Sequence, residues 1–314
     1  MTSTRHHETP KRRTGHTNRR RPPRRSPRRA LRRDVPSTVG LLVDEQDFAA
    51  MRHYRSFTFS DHPGYLHQVE ALLRSLSRQG GHTSVALFDP AGFAHYCTET
   101  GLDPDSSASR SRYTAEVAAA GPTVAYTGQP IDHLVPLLVN SSVRQATWDY
   151  ASSLLNDLGT CADCGEDIGR AAFDQASELL LRLIECAGTG THHLVCSVPV
   201  KGEQLLAALD AVNGSGSTAT LDSSEGAEFV AVLAAGLALE GPGGVVLRTC
   251  TDDAPDQLRG WRLQRGRMLP LTEGEVFTAY CTDADTGDPI GPDPGAEYRA
   301  GFDLGDPPRP SAHD

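Results

Sequence analysis

The residues best suited to metal or redox chemistry lie between Cys161 and Val198, a stretch that contains four of the seven cysteines and a pair of adjacent histidines. Cys161 and Cys164 are separated by two residues, so their sulfurs can face one metal ion, and the glycine that follows allows the backbone to turn tightly. This spacing predicts a zinc knuckle. The two alternatives are a redox-active dithiol and a set of unrelated buried cysteines.

The segment Cys-Ala-Asp-Cys-Gly-Glu-Asp-Ile-Gly-Arg-Ala-Ala-Phe at residues 161–173 resembles the first half of the zinc finger in the DksA/TraR family of bacterial transcription regulators. The resemblance covers 13 of the 314 residues. That family closes its finger with a second Cys-x-x-Cys, whereas only the single cysteines Cys186 and Cys196 follow here. The resemblance implies that Cys161 and Cys164 are zinc ligands, and it carries over nothing of the family's polymerase binding.

The elements around the cysteine pair select its third ligand. Apolar residues recur every three or four positions from Ile168 and predict a helix of about 18 residues, roughly 27 Å long, which carries Cys186 away from the pair. A returning strand over Thr191–Val198 would bring Cys196 back. The two histidines are expected to be strand-end residues that form hydrogen bonds within the fold. The predicted structural Zn²⁺ site therefore consists of Cys161, Cys164 and Cys196, with a fourth ligand from His95, Cys97, Cys250 or water.

The N-terminal part of the body predicts a crossover between two parallel strands. Val39–Val43 and Thr83–Phe88 read as buried strands, and between them Asp61 and Pro63 begin an amphipathic helix that ends at Gly80. Looser versions of the pattern place further strands at Thr123–Tyr126, Leu194–Val198 and Val245–Cys250. The expected fold is α/β, with a mostly parallel sheet and helices on its faces.

Three domains are predicted: a disordered arm at 1–36, an α/β domain at 37–250, and an irregular, partly β segment at 251–314 that frays at its end. Within the α/β domain, residues 132–139 and 143–158 are expected to form two helices. In the last segment, the apolar run at 276–281 is predicted to be a strand.

A second candidate site follows from the predicted parallel strands, because ligands of open parallel sheets bind beyond the carboxyl ends of the strands. Asp89 lies at such an end, and Arg110, Arg112 and Tyr113 are candidate partners for gripping an anion. These four residues would serve a small-molecule enzyme whose substrate carries a phosphate or nucleotide. The favoured alternative is that Asp89 caps the helix that follows it.

Charge is distributed unevenly along the chain. Residues 1–33 contain 13 basic groups and one acid, whereas the rest of the chain carries 17 basic and 39 acidic groups. The arm is expected to make weak, salt-dependent contacts with nucleic acid, and the acidic body is a poor surface for it. The alternatives for the arm are a solvated tail, or a true translation start nearer Met51.

Composition favours a cytoplasmic protein. No apolar run approaches the roughly 20 residues that span a bilayer, and no apolar segment follows the arginines as an export signal requires. An odd number of cysteines suits a reducing compartment, and the presence of only two lysines is typical of a GC-rich bacterial genome. The predicted function is intracellular binding or regulation with a structural zinc knuckle, and the alternative is the enzyme acting near Asp89.

Overall fold

The computed structural model of the chain describes residues 37–80, 82–214, 219–252, 254–283 and 286–305. The predictions for the arm at 1–36 lie outside these ranges. The helices are α1 (Glu45–Met51), α2 (His62–Arg78), α3 (Pro90–Thr100), α4 (Ser107–Ala120), α5 (Ile131–Asn156), α6 (Ile168–Ala187), α7 (Ser223–Ala238) and α8 (Glu273–Tyr280). The strands are β1 (Ser37–Leu41), β2 (Thr83–Leu87), β3 (Thr123–Ala125), β4 (Gly190–Val200), β5 (Glu203–Asn213), β6 (Thr220–Leu221), β7 (Gly243–Thr251), β8 (Ala254–Gln264), β9 (Arg267–Pro270) and β10 (Ala296–Tyr298).

Strands β1 and β2 are parallel neighbours, as the sequence predicts, and β3 pairs antiparallel with β2. Helix α2 connects the two parallel strands. Asp61 caps its first turn, since Oδ1 accepts a hydrogen bond from the Gly64 N–H at 2.7 Å. Tyr65, Val69 and Leu73 lie on one face of α2 and pack into the first hydrophobic core. The predicted crossover unit is therefore confirmed.

The second sheet has the strand order β10-β8-β7-β4-β5-β6, with β9 added along β8. Its neighbouring strands are antiparallel except for β10 with β8, so the prediction of a mostly parallel sheet is wrong. Lys201 and Gly202 join β4 to β5 with φ angles of 51° and 87°, which a tight two-residue hairpin requires. Buried and exposed residues alternate along β4 and β5, a pattern typical of an antiparallel sheet with one open face.

The predicted domain boundary at residue 250 falls inside this sheet, because β7 and β8 are paired neighbours and Val245 lies opposite Trp261. The apolar run at 276–281, predicted to be a strand, lies mostly in helix α8. A capping box starts this helix: the Glu275 N–H donates to Thr272 Oγ1 at 3.3 Å, and the Thr272 N–H donates to the Glu275 carboxylate at 2.8 Å. This local signal outweighs the strand propensity of the apolar residues that follow.

Helix α5 is continuous, and the interruption predicted at Asn140–Ser142 is absent. Polar residues of this kind cost only a few tenths of a kcal/mol each in a helix. Apolar residues on both sides favour the continuous helix: Leu134 and Leu138 pack in the first core, and Leu154 and Leu155 pack in the second. Helix α5 therefore contributes to both cores.

Helices α6 and α7 cover the inner face of the second sheet. Helix α7 is buried from Glu228 to Leu237, and the sheet contributes Trp261, which is 1% exposed. The outer face of β5 stays open to solvent, where Leu206 and Val212 are exposed. The second core therefore lies between the helices and one face of the sheet.

Candidate functional site

The cysteine pair lies in a tight turn between α5 and α6. Thr160 and Asp167 form an antiparallel bridge at the base of the turn. The Cys161 N–H donates to the Glu166 carbonyl at 2.8 Å, and the Gly165 N–H donates to the Cys161 carbonyl at 2.9 Å. Gly165 has a φ of 75°, a backbone conformation that glycine adopts without steric cost. The tight glycine turn predicted from the sequence is confirmed.

The two thiols of this turn interact with each other and with the backbone. The backbone N–H groups of Cys164 and Asp163, followed by the Cys164 thiol, hydrogen-bond to the Cys161 sulfur and lower the pKa of the Cys161 thiol. Cys161 is half-buried and Cys164 is exposed, so the pair is accessible from solvent. Because the thiolate is the form that binds metals and reacts with oxidants, the turn is suited to either chemistry.

The structure does not bring Cys196 to this turn. Its side chain is fully buried on the inner face of β4, and burial raises its pKa to about 12. The sequence contains the signal for this placement: Leu194, Cys196 and Val198 alternate along the strand and share its apolar face. The lengths of helix α6 and strand β4 favoured Cys196 as the third ligand, but its side chain lies on the face of β4 that packs into the core.

The candidates for a fourth ligand do not form a joint site with the pair in the described ranges. His95 contacts Glu99 on its own helix at 3.2 Å, and Cys97 is buried in the first core. Cys250 lies beside Arg248 and Asp256, and burial raises its pKa. Within the described ranges, no group of three or more His, Cys, Asp or Glu side chains is arranged to hold a metal ion.

The two adjacent histidines make hydrogen bonds inside the fold, as predicted. His192 is fully buried; its Nδ1 lies 3.1 Å from Thr249 Oγ1 and its Nε2 lies 3.1 Å from the Gly188 carbonyl. Burial lowers the pKa of His192. His193 is exposed and pairs with Asp210 at 2.7 Å.

Asp89 caps helix α3, the interpretation that the sequence favours. Its Oδ1 accepts the Ala91 N–H at 2.8 Å and its Oδ2 accepts the Gly92 N–H at 3.0 Å. Tyr113 lies next to this cap, since a methyl group added at Gly92 would be 2.5 Å from Tyr113 Oη and 2.6 Å from Asp89 Oδ2. Burial, and then the charge of Asp89, raise the pKa of Tyr113 to about 12.

The predicted anion-binding arginines are only partly available at this edge. Arg110 donates from Nη1 to Ser56 Oγ at 2.7 Å, and Arg112 is exposed on α4. The carboxyl ends of β1 and β2 are acidic: burial, then the charges of Asp44 and Asp89, raise the pKa of Asp47. The three carboxylates of Asp44, Asp47 and Asp89 oppose the binding of a phosphate group, because like charges repel.

A cavity of about 310 Å³ lies between α5 and α7, and no sequence pattern predicted it. Its charged residues are Arg144 and Glu228, whose side chains meet although they lie 84 positions apart in the chain. One signal for it was present, since Glu228 interrupts an otherwise apolar run along α7. Nothing in the sequence identifies its partner across that distance.

A family model described as a domain of unknown function (DUF8829) matches residues 26–129. The matched range includes the first sheet, ends just before α5, and covers less than half of the chain. It does not include residues 161–173, so the resemblance to the DksA/TraR zinc finger stays a prediction. No curated protein and no solved structure matches the sequence. Each helix in the described ranges is too short or too polar to cross a membrane.

Proposed function

We propose that this protein acts by binding, in a regulatory role, and that Cys161 and Cys164 hold a zinc ion. The supporting observation is the turn in which two backbone N–H groups and one thiol stabilise the Cys161 sulfur as a thiolate. Zinc–thiolate bonds are about 2.3 Å long, and two cysteines separated by two residues are a common half of such sites. The ordered turn reduces the reorganisation that metal binding would require.

Two of the four ligands of a tetrahedral zinc ion come from this pair in our proposal. The other two positions are filled by water or by nitrogen or oxygen atoms of a binding partner, because Cys196 is buried in the core. A partially open zinc site at the protein surface supports a role in binding: a partner that supplies ligands gains affinity from the metal as well as from surface contacts.

Cobalt substitution tests this proposal. The metal-free, reduced full-length protein is titrated with Co²⁺, and thiolate-to-cobalt charge-transfer absorption is recorded. We expect the absorption in the wild-type protein and its loss in Cys161→Ser and Cys164→Ser. Cys186→Ser is the matched control, because Cys186 is exposed at the far end of α6 and is expected to leave the spectrum unchanged.

Two results would contradict the proposal: no thiolate absorption in the wild-type protein, or absorption that persists in Cys161→Ser. If the wild-type protein instead forms a Cys161–Cys164 disulfide on mild oxidation and binds no metal, the pair is a redox-active dithiol. The lowered pKa of Cys161 is compatible with both chemistries, so metal binding itself is the deciding observation.

The alternative function, an enzyme acting on a phosphate- or nucleotide-bearing substrate near Asp89, has less support. Both oxygens of Asp89 accept hydrogen bonds from the helix that it caps, and neighbouring carboxylates repel phosphate. A thermal-shift screen with nucleotides and sugar phosphates distinguishes the two functions. A stabilisation that disappears in Asp89→Asn would favour the enzyme.

A further inference from the structure

The cavity between α5 and α7 combines one aromatic side chain, that of Trp148, with one basic and one acidic side chain. Arg144 and Trp148 lie four residues apart on one face of α5, and Ser224 and Glu228 lie four residues apart on α7. The volume of about 310 Å³ is at the lower end of the roughly 300–1,000 Å³ of small-molecule sites. The two helices therefore form a small recess to which both contribute polar side chains.

Glu228 is the unusual residue of this recess. It is 4% exposed, and the residues that follow it in α7 are apolar or small as far as Leu237. A buried carboxylate destabilises a protein unless it is paired. Arg144 supplies the pairing, since its Nε donates to Glu228 Oε2 at 2.8 Å.

Arg144 is shared among several acceptors. Its Nη1 donates to Glu225 Oε1 at 2.9 Å, and its Nη2 donates to Ser224 Oγ at 3.1 Å. One guanidinium group therefore faces two carboxylates, that of Glu228, which lines the recess, and that of Glu225, which lies beside it. The acidic groups around Arg144 therefore outnumber the basic ones.

The N-terminus of α7 does not reverse this balance. The N–H groups of Ser224 and Glu225 donate to Asp222 Oδ1 at 2.9 and 3.1 Å, so these donors are already engaged by a carboxylate. An incoming anion would meet carboxylates, whereas an incoming cation would reduce the unbalanced charge. The electrostatics of the recess therefore select for positive charge.

We infer that this recess binds a small organic cation, in which an ammonium group approaches Glu228 and an aromatic or aliphatic part packs against Trp148. Indole rings attract cations through their π face, and a carboxylate excess beside the ring strengthens that selection. None of the residues of the cysteine turn lines this recess, so the inference does not depend on the proposed zinc binding.

Isothermal titration of the full-length protein tests the inference with three matched probes: benzylammonium, the neutral benzyl alcohol, and the anion benzoate. We expect benzylammonium to bind with a dissociation constant about tenfold or more below those of the other two, because only it carries a positive charge that offsets the excess of carboxylates around Arg144. Glu228→Gln and Trp148→Leu should each weaken benzylammonium binding severalfold. Glu178→Gln removes an exposed carboxylate of α6 and should leave binding unchanged.

Thermal melting of each variant establishes that it is folded, and the comparison of the three probes on the wild-type protein needs no variant at all. Benzoate binding as tight as that of benzylammonium would overturn the inference. So would the absence of saturable benzylammonium binding at millimolar concentrations, or an unchanged affinity in folded Glu228→Gln protein.

Discussion

The ion pair between Arg144 and Glu228 gives the clearest stability prediction. Arg144→Met removes the guanidinium and keeps an apolar chain of similar length, so Glu228 is left buried with no partner of opposite charge. Removing one member of a buried ion pair costs about 3–5 kcal/mol. The side chain of Glu228 is 5% exposed but that of Arg144 is 25% exposed, so we expect a loss of about 2–3 kcal/mol in the free energy of unfolding.

The loss should depend on pH in a defined direction. Burial raises the pKa of Glu228, and Arg144 opposes that effect, so the pKa rises further in Arg144→Met. A raised carboxyl pKa in the folded state favours protonation there, and the penalty for burying the charge grows as pH rises through that pKa. The deficit of Arg144→Met should therefore be larger at about pH 8 than at about pH 5.

Urea unfolding followed by tryptophan fluorescence measures this effect, because the two tryptophans of the chain, Trp148 and Trp261, both contact the second core. Glu228→Leu combined with Arg144→Met should recover much of the lost stability, since the uncompensated charge is removed. A deficit of Arg144→Met below about 1 kcal/mol, or one that is equal at the two pH values, would refute the reasoning.

Three further predictions follow from other parts of the chain. Gly92→Ala should lower the melting temperature although alanine favours helices, because the added methyl group would lie 2.5 Å from Tyr113 Oη. Gly274→Ala in α8 is the control and should not lower it, because no other atom lies within 4 Å of the position of the added methyl group. Equal melting temperatures of the two variants would contradict this prediction. Gly165→Ala should strain the cysteine turn by about 1 kcal/mol and weaken cobalt binding, so unchanged cobalt affinity would count against the role of the turn. Deleting residues 1–36 should leave the melting temperature unchanged and abolish low-salt DNA binding in a gel-shift assay; salt-resistant binding by the truncated protein would contradict this prediction.

The first crossover unit could be predicted from the sequence because its signals are local. Asp61, Pro63 and the apolar spacing of α2 determine a helix within a few residues of one another. The second sheet could not be predicted in the same way, because the direction of each strand depends on partners far along the chain. In β5 the apolar residues Leu206 and Val212 lie on the open face, so the sequence of this strand lacks the apolar–polar alternation that is typical of an antiparallel sheet with one open face.

The candidate sites differ in the same way: those formed by residues close together in the sequence could be predicted, and the one formed by distant residues could not. The turn at Cys161 follows from two cysteines and a glycine within five residues, and the cap at Asp89 follows from the proline next to it. The recess at Arg144 and Glu228 depends on a contact between helices that are separate in sequence, and no local pattern encodes such a contact. The length of β4 predicts how far along the sheet Cys196 lies, but the alternation of side chains along a strand also determines which face each one is on. The side chain of Cys196 is on the buried face, so it does not reach the turn.

The zinc content of the purified full-length protein, measured beside Cys161→Ser and Cys196→Ala, tests the central claim most directly. Alanine is the replacement at position 196 because a buried cysteine behaves as a small apolar residue. We expect about one zinc per chain in the wild-type protein and in Cys196→Ala, and none in Cys161→Ser. A metal-free wild-type protein, or loss of zinc from folded Cys196→Ala, would contradict it.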